Sequence, residues 1–84
     1  MKKLKEPINL LNIFDDDGNL VAYLYQTHRE ADYFRIEYFL EGKRFSSIGS
    51  TVDTLLGGVI PELFSEHESL TTVKSERYTD YAAN

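Results

Sequence analysis

The sequence predicts an α+β fold: a four-stranded antiparallel sheet of two hairpins, with one kinked helix packed on one face. A fifth strand at 70–74 is an open alternative. Three observations carry this. Val52, Leu55, Leu56, Val59, Ile60, Leu63 and Phe64 recur at helical spacing and form one apolar stripe. Asp17-Gly18 sits between two apolar runs, a strong hairpin signal because the turn needs a positive φ that Gly supplies. Residues 33–41 alternate in character and are rich in aromatic and β-branched side chains, which suits a pleated surface.

Taken in order, residues 1–6 read as a charged arm. Its lysines look like the start of a signal peptide. Pro7, Asn9 and Asn12 interrupt the apolar run that follows, and no small-residue cleavage site comes after it, so the expectation is a cytoplasmic protein that is not exported. Ile8, Leu10, Leu11, Ile13 and Phe14 make the first strand, and 20–25 the second. A turn centred on Asp17-Gly18 sets Phe14 opposite Val21, Asn12 opposite Tyr23 and Leu10 opposite Tyr25. One face then holds Ile8, Leu10, Phe14, Val21, Tyr23 and Tyr25. The other holds Leu11, Ile13, Leu20, Ala22 and Leu24, and this aliphatic face is expected under the helix.

Residues 26–32 read as a polar loop. Thr27 and Glu30 match a capping box, which opens a rival helix over 28–41 closed by Gly42. The alternation at 33–41 favours a strand, with or without a helical turn before it. Gly42 can start a type II′ turn into a strand at 44–48, placing Phe45 and Ser47 on the side of Ile36, Tyr38 and Leu40. Ser50 is the expected N-cap of the helix, with Asp53 in the first turn suiting the positive end of the dipole. Gly57-Gly58 and Pro61 predict a kink, or a step between two short helices, near 57–60. Residues 75–84 read as a loose tail unless Tyr78 and Tyr81 dock.

Composition bounds the rest. The 84 residues form one domain, 1–84, and hold no cysteine, so neither disulfides nor thiolate metal sites contribute. A hydrophobic content of 42% is that of a folded chain. The net charge is −5, and the three lysines of the first five residues leave six basic against fourteen acidic groups in the remainder, a net of −8. Such a body repels phosphate backbones and favours basic partners, or simply stays soluble. No apolar stretch approaches membrane-spanning length, so no membrane role is expected.

The chemistry-bearing patterns are weak. Placing Gly18 at the sixth position of an EF-hand loop puts Ile13 and Leu24 where acidic ligands belong. His28-Arg29-Glu30 has the spacing of zinc deaminases, but those enzymes need cysteines. Glu37 is the one carboxylate embedded in an apolar strand; Arg35, two residues away on the same face, would pair with it, and a cross-strand ion pair accounts for it better than catalysis does. Gly57-Gly58 lies in a helical pattern with no lysine after it, unlike a phosphate-binding loop. No catalytic residue, metal or cofactor is expected, and the chain is read as not an enzyme.

The expectation is a small acidic interaction protein, an adaptor or inhibitor, that binds another protein and self-associates as a homodimer. One helix covers one face of the sheet, which leaves Leu10, Tyr23 and Tyr25 on the second face to meet a protein partner. Asp15, Asp16 and Asp17 offer an acidic array to a basic target. The runner-up is a nucleic-acid-associated regulator, in which strand tyrosines near Arg29, Arg35, Lys43 and Arg44 stack on bases. The acidic balance opposes it.

Overall fold

The structure is a computed structural model that describes residues 8–26 and 34–78. Its elements run β1 (Ile8–Phe14), β2 (Leu20–Gln26), β3 (Phe34–Leu40), β4 (Lys43–Gly49), α1 (Val52–Phe64) and β5 (Thr71–Lys74). The strands form one antiparallel sheet in the order β4-β3-β2-β1-β5, so β5 adds to the outer side of β1. α1 packs against β3 and β4. This is the α+β class that the sequence predicts, and the fifth strand is present. The stretch 34–40 is strand, which rules out the rival helix over 28–41. The arm at 1–6, the capping box at 27–30 with any turn before β3, and Tyr81 lie outside the described residues.

The first hairpin departs from the simple register in an instructive way. Asn12 does face Tyr23. On either side of that pair the register shifts: Asn9, not Leu10, faces Tyr25, and Phe14 faces Leu20, not Val21. Leu10 in β1 and Val21 in β2 are the extra residues of two β-bulges. A bulge inserts one side chain without advancing the partner strand, so every residue beyond it changes face relative to strict alternation. Leu10 and Leu11 are both buried, as are Val21 and Ala22. Ile8 moves to the core side with them, and Leu20 moves away to lie 42% exposed. The expected grouping of Ile8, Leu10 and Val21 with the tyrosines is thereby corrected.

The second hairpin keeps its register throughout, from Phe34↔Gly49 to Leu40↔Lys43. Phe45 and Ser47 lie opposite Tyr38 and Ile36, as expected. Its turn differs from expectation. Glu41 and Gly42 both take positive φ, 53° and 77°, which is the type I′ signature and not a type II′ turn begun by Gly42. A two-residue loop closing Leu40 onto Lys43 leaves only those two positions to turn the chain. Glu41 must then adopt the left-handed conformation that its Cβ disfavours.

In α1 the cap is Thr51, one residue later than the expected Ser50. Its side chain accepts a hydrogen bond from the Thr54 amide at 3.1 Å. Val52, Leu55, Val59 and Leu63 are buried, while Leu56 and Ile60 flank the same core. The helix is a single element across Gly57-Gly58 and Pro61. Proline removes the bond to the Gly57 carbonyl, but Gly57 is exposed, so water can satisfy that oxygen. Gly49 lies close under the helix: a Cβ there would stand 3.1 Å from the Leu55 side chain, which would have to shift by a few tenths of an ångström to admit it.

The end of the described chain is held in place. The Ser75 amide donates to the Leu10 carbonyl at 2.8 Å and its Oγ to the Asn9 carbonyl at 2.7 Å. Tyr78 packs against the core with the Lys74 ammonium 4.8 Å from its ring centroid. Residues 75–78 are therefore docked and not part of a loose tail.

Candidate functional site

The helix and the core side chains occupy one face of the sheet. Register places Asn9, Tyr25, Arg35 and Ile48 in one row across the other face, and Val73, Asn12, Tyr23, Glu37 and Ser46 in the next. Phe14, Leu20 and Thr71 continue it toward the first turn. Asn9 and Asn12 share this face although three residues apart, because the Leu10 bulge lies between them. Each amide donates to the other's carbonyl oxygen, at 3.2 and 3.3 Å.

The centre of the face is aromatic and bonded across strands. Tyr23 and Tyr25 stack with centroids 5.9 Å apart. The Tyr25 hydroxyl donates to Glu37 Oε2 at 2.9 Å, and Arg44 Nε lies 3.6 Å from Glu37 Oε1. The ion pair of Glu37 is thus cross-strand, as expected, but its partner is Arg44 on β4, diagonal to it, and not the Arg35 that the sequence suggested. Burial first, and then the bond to the Glu37 carboxylate, push the Tyr25 phenol up to about 12. At neutral pH it is a fixed donor. Around this centre Leu20, Ile48 and Val73 present apolar surface to solvent.

Comparison with family models, with curated proteins and with solved structures finds no match. What this surface does has to be read from its own chemistry.

Of the residues expected to meet a partner, Tyr23 and Tyr25 lie together on this open face and are half-buried. Leu10 does not join them. It is 1% exposed, turned into the core by its bulge, and presents no side chain to a partner. Asp15, Asp16 and Asp17 sit apart in the β1–β2 turn, and two of them are engaged within the chain. The Asp15 carboxylate accepts from the Asn19 and Asp17 amides, both at 2.9 Å, and lies 4.0 Å from His67 Nδ1 beyond the helix. The Asn19 amide above all holds the Asp15 carboxyl below its usual value; desolvation opposes it, and the Asn19 side chain and the Asp17 amide add to the lowering. Asp16 accepts a hydrogen bond from the Ser69 hydroxyl. Asp15 and Asp16 therefore fasten the turn to the segment between α1 and β5, leaving Asp17 exposed.

Among the described residues, no group of three or more His, Asp or Glu side chains is placed to hold a metal ion. No helix of the described residues is long and apolar enough to cross a membrane. Sequence reasoning placed Asn12 opposite Tyr23 but missed Asn9, Leu20, Arg44, Ile48 and Val73 as members of the open face. A signal for Arg44 did exist. Once Leu40 faces Lys43 across the turn, Arg44 falls diagonal to Glu37 on the same side.

Proposed function

We propose that this chain is a non-enzymatic interaction protein, an adaptor or inhibitor that acts by binding another protein and that self-associates. The observation that carries this reading is the second face of the sheet, on which no helix or strand packs among the described residues. Two stacked, half-buried tyrosines stand at its centre, with Leu20, Ile48 and Val73 exposed at its margins. Rigid aromatic surface held by a hydrogen-bonded strand network is what protein interfaces draw on for most of their binding energy. The non-enzymatic part is supported by Glu37, whose carboxylate is occupied by Tyr25 and Arg44 and so serves as a structural acceptor.

The same network weighs against base stacking. Tyr23 and Tyr25 already stack on each other, and Glu37 offsets the Arg44 charge that would attract a phosphate. The test pairs affinity capture by the full chain with capture by Tyr23→Ser and Val73→Lys variants. The expected result is a protein partner retained by the parent and lost from both variants. Binding to DNA or RNA that falls steeply with added salt, and is lost in the Tyr23→Ser variant, would overturn this reading in favour of a nucleic-acid-associated regulator.

A further inference from the structure

The sheet ends on β4 at one side and β5 at the other, and the two edges differ. β5 has four residues. β4 has seven, contains no proline and follows β3 without a bulge, so of the usual devices that blunt an edge it carries only the charges of Lys43 and Arg44 at one end. The tight turn makes Leu40–Lys43 a hydrogen-bonded pair. Ladder alternation then makes Tyr38–Phe45, Ile36–Ser47 and Phe34–Gly49 hydrogen-bonded pairs as well. The N–H and C=O groups of Arg44, Ser46 and Ile48 consequently point away from β3. Among the described residues no strand lies on that side of β4. Two apolar side chains of β4 lie open beside these groups, Phe45 42% and Ile48 55% exposed. Arg44, the cation that would ordinarily discourage edge pairing, is engaged by Glu37.

The geometry points to a second copy of this chain as the occupant of the β4 edge, joined by antiparallel β4–β4 pairing about a two-fold axis at Ser46. This rests on the self-association part of the reading above and gives it a location and a register. With the axis at Ser46, that residue faces its own counterpart and Arg44 faces Ile48 of the second copy. Every outward donor and acceptor of Arg44, Ser46 and Ile48 then finds a partner, whereas moving the axis along the strand leaves some of them unpaired. Charge agrees with this register. The basic end of each strand, Lys43-Arg44, meets the uncharged Ile48-Gly49 end of the other, so cations stay apart and the Arg44 stem can cover Ile48. An unrelated strand would have to supply this match independently, whereas a second copy supplies it by symmetry.

Sedimentation velocity over a concentration series tests the proposal with the full chain, Ser46→Pro and Ile48→Lys. Proline at Ser46 removes an outward donor and no bond to β3; lysine at Ile48 sets a cation against Arg44 of the second copy. The expected result is a parent dimer whose dissociation constant rises on the order of tenfold or more in each variant, with unchanged far-ultraviolet circular dichroism. Because the chain has no cysteine, Ser46→Cys should also oxidise to a disulfide-linked dimer much faster than Thr72→Cys on the β5 edge. A parent that stays monomeric at every concentration would overturn both this pairing and self-association. A dimer that Ile48→Lys and Ser46→Pro leave intact, with no preference for cross-linking at Ser46, would overturn the β4 edge alone.

Discussion

The two hairpins are each built from two seven-residue strands, yet they solve different problems. The first carries two bulges and sends Leu10, Leu11, Ile13, Val21, Ala22 and Leu24 into the core. The second keeps a single register, and β4 contributes no fully buried residue. Strict alternation allows a strand to bury every second side chain. A bulge breaks that limit by turning two neighbours to the same side, at the cost of local ladder regularity. The central strands use this to enlarge a small core. The edge strand stays regular and exposed, which is the state in which it can pair again.

The sharpest way to break the comparison is to truncate one apolar side chain in each hairpin. Leu24→Ala should destabilise the protein by about 3 kcal/mol, through lost burial and the cavity left behind. Ile48→Ala should change the stability of the isolated chain by only about 0.5 kcal/mol or less. Urea denaturation at low protein concentration measures both, and similar costs would mean that β4 is better buried than its exposure indicates.

The turns offer the next contrast. Gly42 holds a φ of 77° in the tight second turn, so Gly42→Ala should cost about 1–2 kcal/mol with no clash involved. Smaller still, and joining the two hairpins, is Tyr25→Phe. Loss of the hydroxyl that crosses from β2 to Glu37 on β3 should cost about 1 kcal/mol near neutral pH. The sign of its pH dependence follows from a phenol raised from 10.0 to about 12 in the folded state. The contribution is fully present below the unfolded value of 10.0 and is lost as pH rises through about 12, because the unfolded chain ionises first. Alkaline denaturation of the parent and the variant, with tyrosinate absorbance followed in parallel, should show their stabilities converging across that window. The smallest expected effect is a gain. Glu41→Asn places a residue that tolerates positive φ where the turn demands it, and should stabilise the second hairpin by about 0.5 kcal/mol by thermal melting.

Much of the architecture was legible because it rests on local patterns. The stripe from Val52 to Leu63 faces the core as its spacing implies, although Phe64, expected to close it, lies 50% exposed, and Asp17-Gly18 and Glu41-Gly42 both fall where the chain turns between strands. The candidate site was legible only in part. Tyr23 and Tyr25 fall on the open face because β2 alternates normally from Ala22 to Tyr25, but Leu10, assigned to the same face by the same rule, does not. Nothing in Asn9-Leu10-Leu11 marks a bulge, since either leucine suits a strand and either can be buried. The engagement of Asp16 by Ser69 was equally hidden, because the two meet only after the helix has crossed the sheet.

By itself, then, the chain of residues determined the first hairpin and the helix, because those preferences arise from neighbours one to four positions away, while 28–41 stayed open between strand and helix and 70–74 between strand and loop. Only the tertiary structure decided which side chains face the core, how the first hairpin slips twice to bury more of them, and which strands end the sheet among the described residues. Those outcomes depend on the space between the sheet and the helix, and filling that space is settled by all the elements together and by none of them alone.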